Sequence, residues 1–132
     1  MTKNYHMGAN FLIKALSGKW KISIICALSL HPFRYNELLH YENDQNNGRV
    51  SKKVLTEQLS QLEEDGIIKK KVYPEVPPKV IYSLTTIGKD IARLLVKFNY
   101  LGEALATLNT DEITFDITAS EVKRLHEEYH NK

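Results

Sequence analysis

VSKKVLTEQLSQLEEDGIIKKKVYPEVPPKVIYSLT, residues 50–85, is the stretch whose reading decides the fold. Leu55, Leu59 and Leu62 recur at i, i+4 and i+7, which puts all three on one face of a helix. Lys53, Thr56, Glu57, Ser60 and Glu64 fall on the opposite side. Ser51 stands where an N-cap is needed, and Gly66 where a left-handed residue ends the helix. Beyond it, residues 68–73 and 79–84 are rich in β-branched and aromatic residues with basic residues interleaved. Pro74, Pro77 and Pro78 cannot donate ladder hydrogen bonds, so they belong to the turn between two strands. A helix with a polar outer face, followed by a basic hairpin, is the working end of a winged helix-turn-helix. The helix (about 51–65) suits a DNA major groove, and the hairpin (about 68–84) is the wing beside it.

Upstream, residues 10–16 and 20–30 read as two helices hinged at Ser17-Gly18. The second, WKISIICALSL, is apolar nearly all round and belongs in the core. Cys26 lies inside it and reads as a small buried hydrophobe, and Trp20 as a packing anchor. His31-Pro32 breaks this helix. Residues 34–41, RYNELLHY, form the first helix of the motif, with Leu38 and Leu39 inward. Residues 42–49, ENDQNNGR, are polar throughout and read as a long loop.

Downstream, Ile87, Ile91, Leu94, Leu95, Phe98, Leu101, Leu105 and Leu108 recur at helical spacing, the adjacent Leu94 and Leu95 lying three and four residues after Ile91. A helix over about 86–108 with so continuous a seam has more apolar surface than a small domain needs for itself. The seam is therefore read, with the N-terminal helix, as a homodimer interface carried by Ile91, Leu94, Leu95, Phe98, Leu101 and Leu105. A last helix spans about 118–130, with Thr118 as N-cap and Glu121 completing a capping box.

The chain's 132 residues, 42% hydrophobic and 26% charged, fit one domain, residues 1–132, mainly α with a small β-hairpin wing (α+β). No apolar run suits a membrane span or a signal peptide, so a cytoplasmic location is expected. One cysteine excludes an internal disulfide and a cysteine-based zinc cluster. The net charge of +2 is uneven: residues 1–53 hold eight Lys and Arg against three acids, and residues 103–132 three against seven. That asymmetry suits a polyanion on one side.

Residues 126–130, HEEYH, spell the H-E-x-x-H pattern of zinc peptidases and do place two imidazoles on one helical face. The segment lies on a mostly polar helix expected to be exposed, with no following residues to complete a catalytic zinc cavity. No nucleophile–base pair or phosphate-cradling glycine loop stands out elsewhere, so no catalytic residue, metal or cofactor is assigned.

GKWK at 18–21, RYNEL at 34–38, LTEQLSQLEEDGII at 55–68, VYPEVPPKVIYSLT at 72–85, and Gly88 and Gly102 together resemble the HxlR-type transcriptional regulators, a branch of the MarR-like winged-helix proteins. The resemblance covers residues 7–102 and implies a homodimer that binds operator DNA. Many redox-sensing members carry a cysteine just before the first helix. Met7 and Gly8 stand there in this chain, so thiol sensing by that route is absent. The 42–49 loop also looks longer than the family's usual turn.

The expected activity is sequence-specific binding to double-stranded DNA as a repressor, with a small-molecule effector docking where the long helix meets the first two helices. Lys53, Thr56 and Ser60 are candidates for base edges, with Ser51 and Lys52 near phosphates. Arg34, Arg49, Lys69, Lys71 and Lys79 are candidates for backbone or minor-groove contacts. The alternative is a winged-helix protein–protein adaptor without DNA binding, which would have no need of the basic wing.

Overall fold

The structure, a computed structural model, describes residues 1–45 and 49–130. Nine-residue α1 (Gly8–Leu16) is followed by α2 (Lys21–Leu30), β1 (Phe33–Arg34), α3 (Tyr35–Gln45) and α4 (Lys52–Glu64). The hairpin β2 (Ile68–Tyr73) and β3 (Lys79–Leu84) leads into α5 (Thr86–Ala106) and α6 (Ala119–His130). The sheet is antiparallel in the order β1-β3-β2. Gly18, at φ +114°, makes the turn between α1 and α2 that a side-chain-bearing residue would strain.

The core forms where α2, α4 and α5 meet the sheet: Ile24, Ile25, Leu38, Leu55, Leu59, Leu62, Ile68 and Leu95 are almost wholly buried. Each leucine of α4 contributes about 1.5–3 kcal/mol by leaving water, against about 1 kcal/mol for the Ser51 cap. The apolar face therefore sets how α4 lies, and the cap, whose Oγ accepts from the Val54 N–H at 3.1 Å, sets where it starts. Its end is a Schellman turn: the N–H of Gly66 (φ +76°) donates to the Glu63 carbonyl and that of Ile67 to the Leu62 carbonyl, each at 3.0 Å.

Two expectations change. Residues 33–34 form a short strand on β3, pairing Phe33 with Tyr82 and Arg34 with Ile81, so the helix begins at Tyr35. It also runs on through Gln45, so Glu42–Gln45 are helical and not loop; Asn46, Asn47 and Gly48 lie outside the described residues. The reason is that Glu42 stands one turn after Leu38 and turns inward with it, fully buried. Ser23 Oγ donates to Glu42 Oε2 at 2.6 Å, so a hydrogen-bonded carboxylate occupies a position where periodicity calls for an apolar residue. α3 is then held to α4 by the Val50 N–H, which donates to Asn43 Oδ1 at 2.8 Å.

α5 starts against the turn that ends α4. The Thr85 hydroxyl donates to the Gly66 and Ile67 carbonyls and accepts from the Gly88 N–H. A Cβ on Gly88 would lie 2.1 Å from the Ile67 carbonyl oxygen, backbone that cannot swing aside. Gly88→Ala is therefore expected to destabilise the fold by about 1–3 kcal/mol or more. A thermal midpoint equal to that of the unsubstituted protein would show that the backbone yields instead.

Candidate nucleic-acid interface

α4 turns Lys53, Glu57 and Ser60 away from its buried leucines, and all three are exposed. Thr56 is exposed too but lies on the flank toward α3, its Oγ1 3.0 Å from the Tyr35 hydroxyl. That hydroxyl also donates to the Lys52 carbonyl at 3.0 Å. Its single proton is thus committed, and Thr56 donates to Tyr35. Tyr35 was not singled out from sequence, yet it fixes the first turn of α4 on α3. A tyrosine opening a polar helix one residue after a basic one was the available signal. Ser51, Lys52 and Arg49 are exposed at the start of α4.

Cross-strand partners share a face of the sheet. Lys69 pairs with Ser83, Lys71 with Ile81 and Tyr73 with Lys79, while Arg34 pairs with Ile81 from the other side. Arg34, Lys69, Lys71 and Lys79 therefore lie on one face, and Lys70, opposite Tyr82, turns to the other, where its Nζ is 4.0 Å from Glu63 of α4. At the outer end Lys71 and Lys79 each hold Nζ 5.0 Å from the centre of the Tyr73 ring. Two cations are thereby gathered at a tip whose turn carries Pro74, Pro77 and Pro78. Arg34 is drawn toward Glu37 at 3.8 Å, an exposed pair worth little. Lys69 sits at the base of the wing and lines a cleft with Lys89 and Arg93 of α5, away from the tip.

The predicted seam divides in two. Ile91 and Leu95 are 7% and 1% exposed and belong to the protomer's own core. Leu94, Phe98, Leu101 and Leu105 are 38–69% exposed and, with Ile87, form a continuous apolar stripe down α5. α1 adds exposed Phe11 and Ile13, with exposed Met7 just ahead of it.

A compact helical core presenting an exposed polar helix face and a basic hairpin defines the chain as a winged helix-turn-helix protein. The pattern of the HxlR-like helix-turn-helix family matches residues 15–113, and the chain belongs to that family. It is 36% identical over 93 residues to the HTH-type transcriptional regulator YtcD of Bacillus subtilis, covering 70% of each chain. It is 41% identical over 91 residues, 69% of this chain and 64% of the other, to an HTH-type regulator of Synechocystis. Its fold is similar to that of the redox regulator HypR in its reduced form (TM-score 0.66, 32% identity, 74% of this chain and 92% of the other). A MarR-family regulator from Enterococcus faecalis is comparably similar (TM-score 0.67, 30% identity, 81% and 93%). This chain is accordingly a transcriptional regulator of the helix-turn-helix type.

Cys26 is half-buried and packs against the core. Burial, and next the nearby Glu42 carboxylate, push its thiol up from 9.0 to about 11. Both effects disfavour the thiolate, so at neutral pH the reactive form is about a hundredfold scarcer than at a thiol titrating at 9.0. Alkylation of the folded protein by iodoacetamide should be correspondingly slow at pH 7 and climb with pH past 9. Rapid labelling at pH 7, lost in Cys26→Ser, would contradict this placement.

α6 is not the exposed helix expected. Thr118 Oγ1 accepts from the Glu121 N–H at 3.2 Å, the Ala119 N–H donates to Glu103 of α5 at 2.8 Å, and Ala119 is buried. Val122, Leu125, His126 and Tyr129 follow as a half-buried face. The HEEYH imidazoles have ring centres 5.9 Å apart, and His126 Nε2 is 3.1 Å from Ser29 Oγ of α2. Among the described residues no group of three or more His, Cys, Asp or Glu is placed to hold a metal, and no helix is long and apolar enough to cross a membrane.

Proposed function

We propose that the protein is a cytoplasmic homodimeric repressor that binds a pseudo-palindromic operator and answers to a small molecule. The observation that carries this reading is the exposed Lys53–Glu57–Ser60 face of α4 flanked by the Lys71–Tyr73–Lys79 wing tip. Lys53 and Ser60 would meet base edges in the major groove, with Thr56 on the flank of that face. Ser51, Lys52, Arg49 and Arg34 would lie along phosphates, and Lys71 and Lys79 along phosphates or in the minor groove. Two protomers joined through the α5 stripe would read half-sites about 10 base pairs apart or a multiple of that. Burial of Cys26, and Met7 in place of a cysteine ahead of α1, favour a small-molecule signal over thiol oxidation.

The test separates helix from wing. Lys79→Ala removes a charge from a position with no base code, so it should weaken operator and random DNA by similar factors and lower the salt slope by about one per half-site. Ser60→Ala has no charge to lose; it should leave the salt slope unchanged and cost about 1–3 kcal/mol on the operator alone. Titrating both variants on both DNAs would sink the assignment if Lys79→Ala relaxed sequence preference while Ser60→Ala weakened all DNA equally.

A further inference from the structure

Between the base of the wing and the end of the chain lies a cleft of about 500 Å³, within the range of small-molecule sites. Its wall is apolar, supplied by Leu28 of α2, Leu84 of β3, and Ala92 and Val96 of α5. Its charged groups are all of one sign: Lys69 from β2, Lys89 and Arg93 from α5, with His126 of α6 beside them and no carboxylate on the lining. Arg93 is partly neutralised by Asp90, one turn earlier on the same helix. Among the described residues neither Lys69 nor Lys89 takes part in an ion pair. Cations brought together from a strand and a helix around an apolar wall repel one another, and an anion relieves that repulsion.

His126 contributes a defined edge. The Ser29 hydroxyl donates to the Cys26 carbonyl at 2.5 Å, so toward His126 it can only accept. Nε2 of His126 therefore bears the proton and donates to Ser29, which fastens α6 to α2 at the cleft. α6 lies beyond residues 15–113, the part shared with the family. One wall of the cleft therefore comes from outside the matched span.

We propose that this cleft binds a small amphipathic organic anion, its apolar body against Leu28, Leu84 and Val96 and its anionic group between Lys69 and Lys89. The site joins β2, α5 and α6, so an occupant would pull the base of the wing toward the helix that carries the apolar stripe. That consequence rests on the operator-binding reading above; the binding itself does not.

The experiment uses the full chain without DNA and isothermal titration calorimetry with three probes. These are 1-naphthoate, the uncharged 1-naphthylmethanol, and inorganic phosphate. Naphthoate should bind at least about tenfold more tightly than either of the others, as expected of a charge-assisted contact on an apolar wall. Lys69→Met with Lys89→Met, both at exposed positions, should bring naphthoate down to the alcohol's affinity and leave the alcohol unchanged. Val96→Trp should weaken both organic probes by filling the wall. Equal affinity for naphthoate and the alcohol, phosphate matching naphthoate, or indifference to the paired lysine variant would each overturn the proposal. A band shift with and without naphthoate is read separately. Binding that leaves DNA affinity untouched would support the site and remove the effector from the proposed function.

Discussion

Affinity for operator DNA should fall about 10³–10⁵-fold as salt is raised from 50 to 200 mM, the range for about 6–10 phosphate contacts. Arg34, Arg49, Lys52, Lys71 and Lys79 are exposed or half-exposed in each protomer, and two protomers reach that range with some of them unused. The loss has a simple origin. Each phosphate neutralised releases condensed counterions, and release is favoured less as the bulk salt rises. Lys69 is not counted because it stands at the base of the wing beside Lys89 and Arg93. Lys69→Ala should accordingly leave the salt slope nearly unchanged where Lys79→Ala lowers it. Filter-binding or anisotropy titrations across that salt range would decide the matter; an affinity that hardly changes would refute the electrostatic contacts proposed for α4 and the wing.

The second large effect is expected at the α5 stripe. Leu94→Glu combined with Phe98→Glu should convert dimer to monomer at micromolar concentrations and with it abolish tight operator binding. Both side chains are nearly 40% exposed in the protomer, so the fold tolerates the change. In a dimer they would be covered, and each unpaired charge then costs several kcal/mol, when about 1.4 kcal/mol is already tenfold in the dimer constant. Leu95→Ala is the contrasting variant. It should lower the thermal midpoint through a core cavity worth about 2–5 kcal/mol, because Leu95 is 1% exposed inside the protomer. Sedimentation velocity separates the two cases. If the doubly charged variant remains a folded dimer, the copies meet elsewhere, and exposed Met7 with Phe11 and Ile13 of α1 become the surface to change next.

What the sequence determined by itself is local and periodic. Leu55, Leu59 and Leu62 specify one helix face whatever packs on it; Ser51 and Gly66 specify where that helix begins and ends. The alternation and the prolines of residues 68–84 specify a hairpin with its turn at 74–78. These signals depend on neighbours within a few residues, and they were enough for the winged helix-turn-helix, the exposed polar face of α4 and the basic residues of the wing.

Only the tertiary structure decided the rest, because those properties depend on what lies across space. Glu42 looks like loop in a polar run, but Ser23 of α2 supplies the hydrogen bond that lets a carboxylate hold a buried helical position. β1 is two residues long and exists only because β3 offers an edge to Phe33 and Arg34. Periodicity marks the α5 seam as one feature. Its two sides separate only once α2 and the sheet cover Ile91 and Leu95 and leave Leu94 and Phe98 open. Lys69 and Lys71 are alike in sequence and share a face of the sheet. They part company because α5 and α6 close over the base of the wing and not over its tip, which puts one lysine in a cleft and the other beside Tyr73.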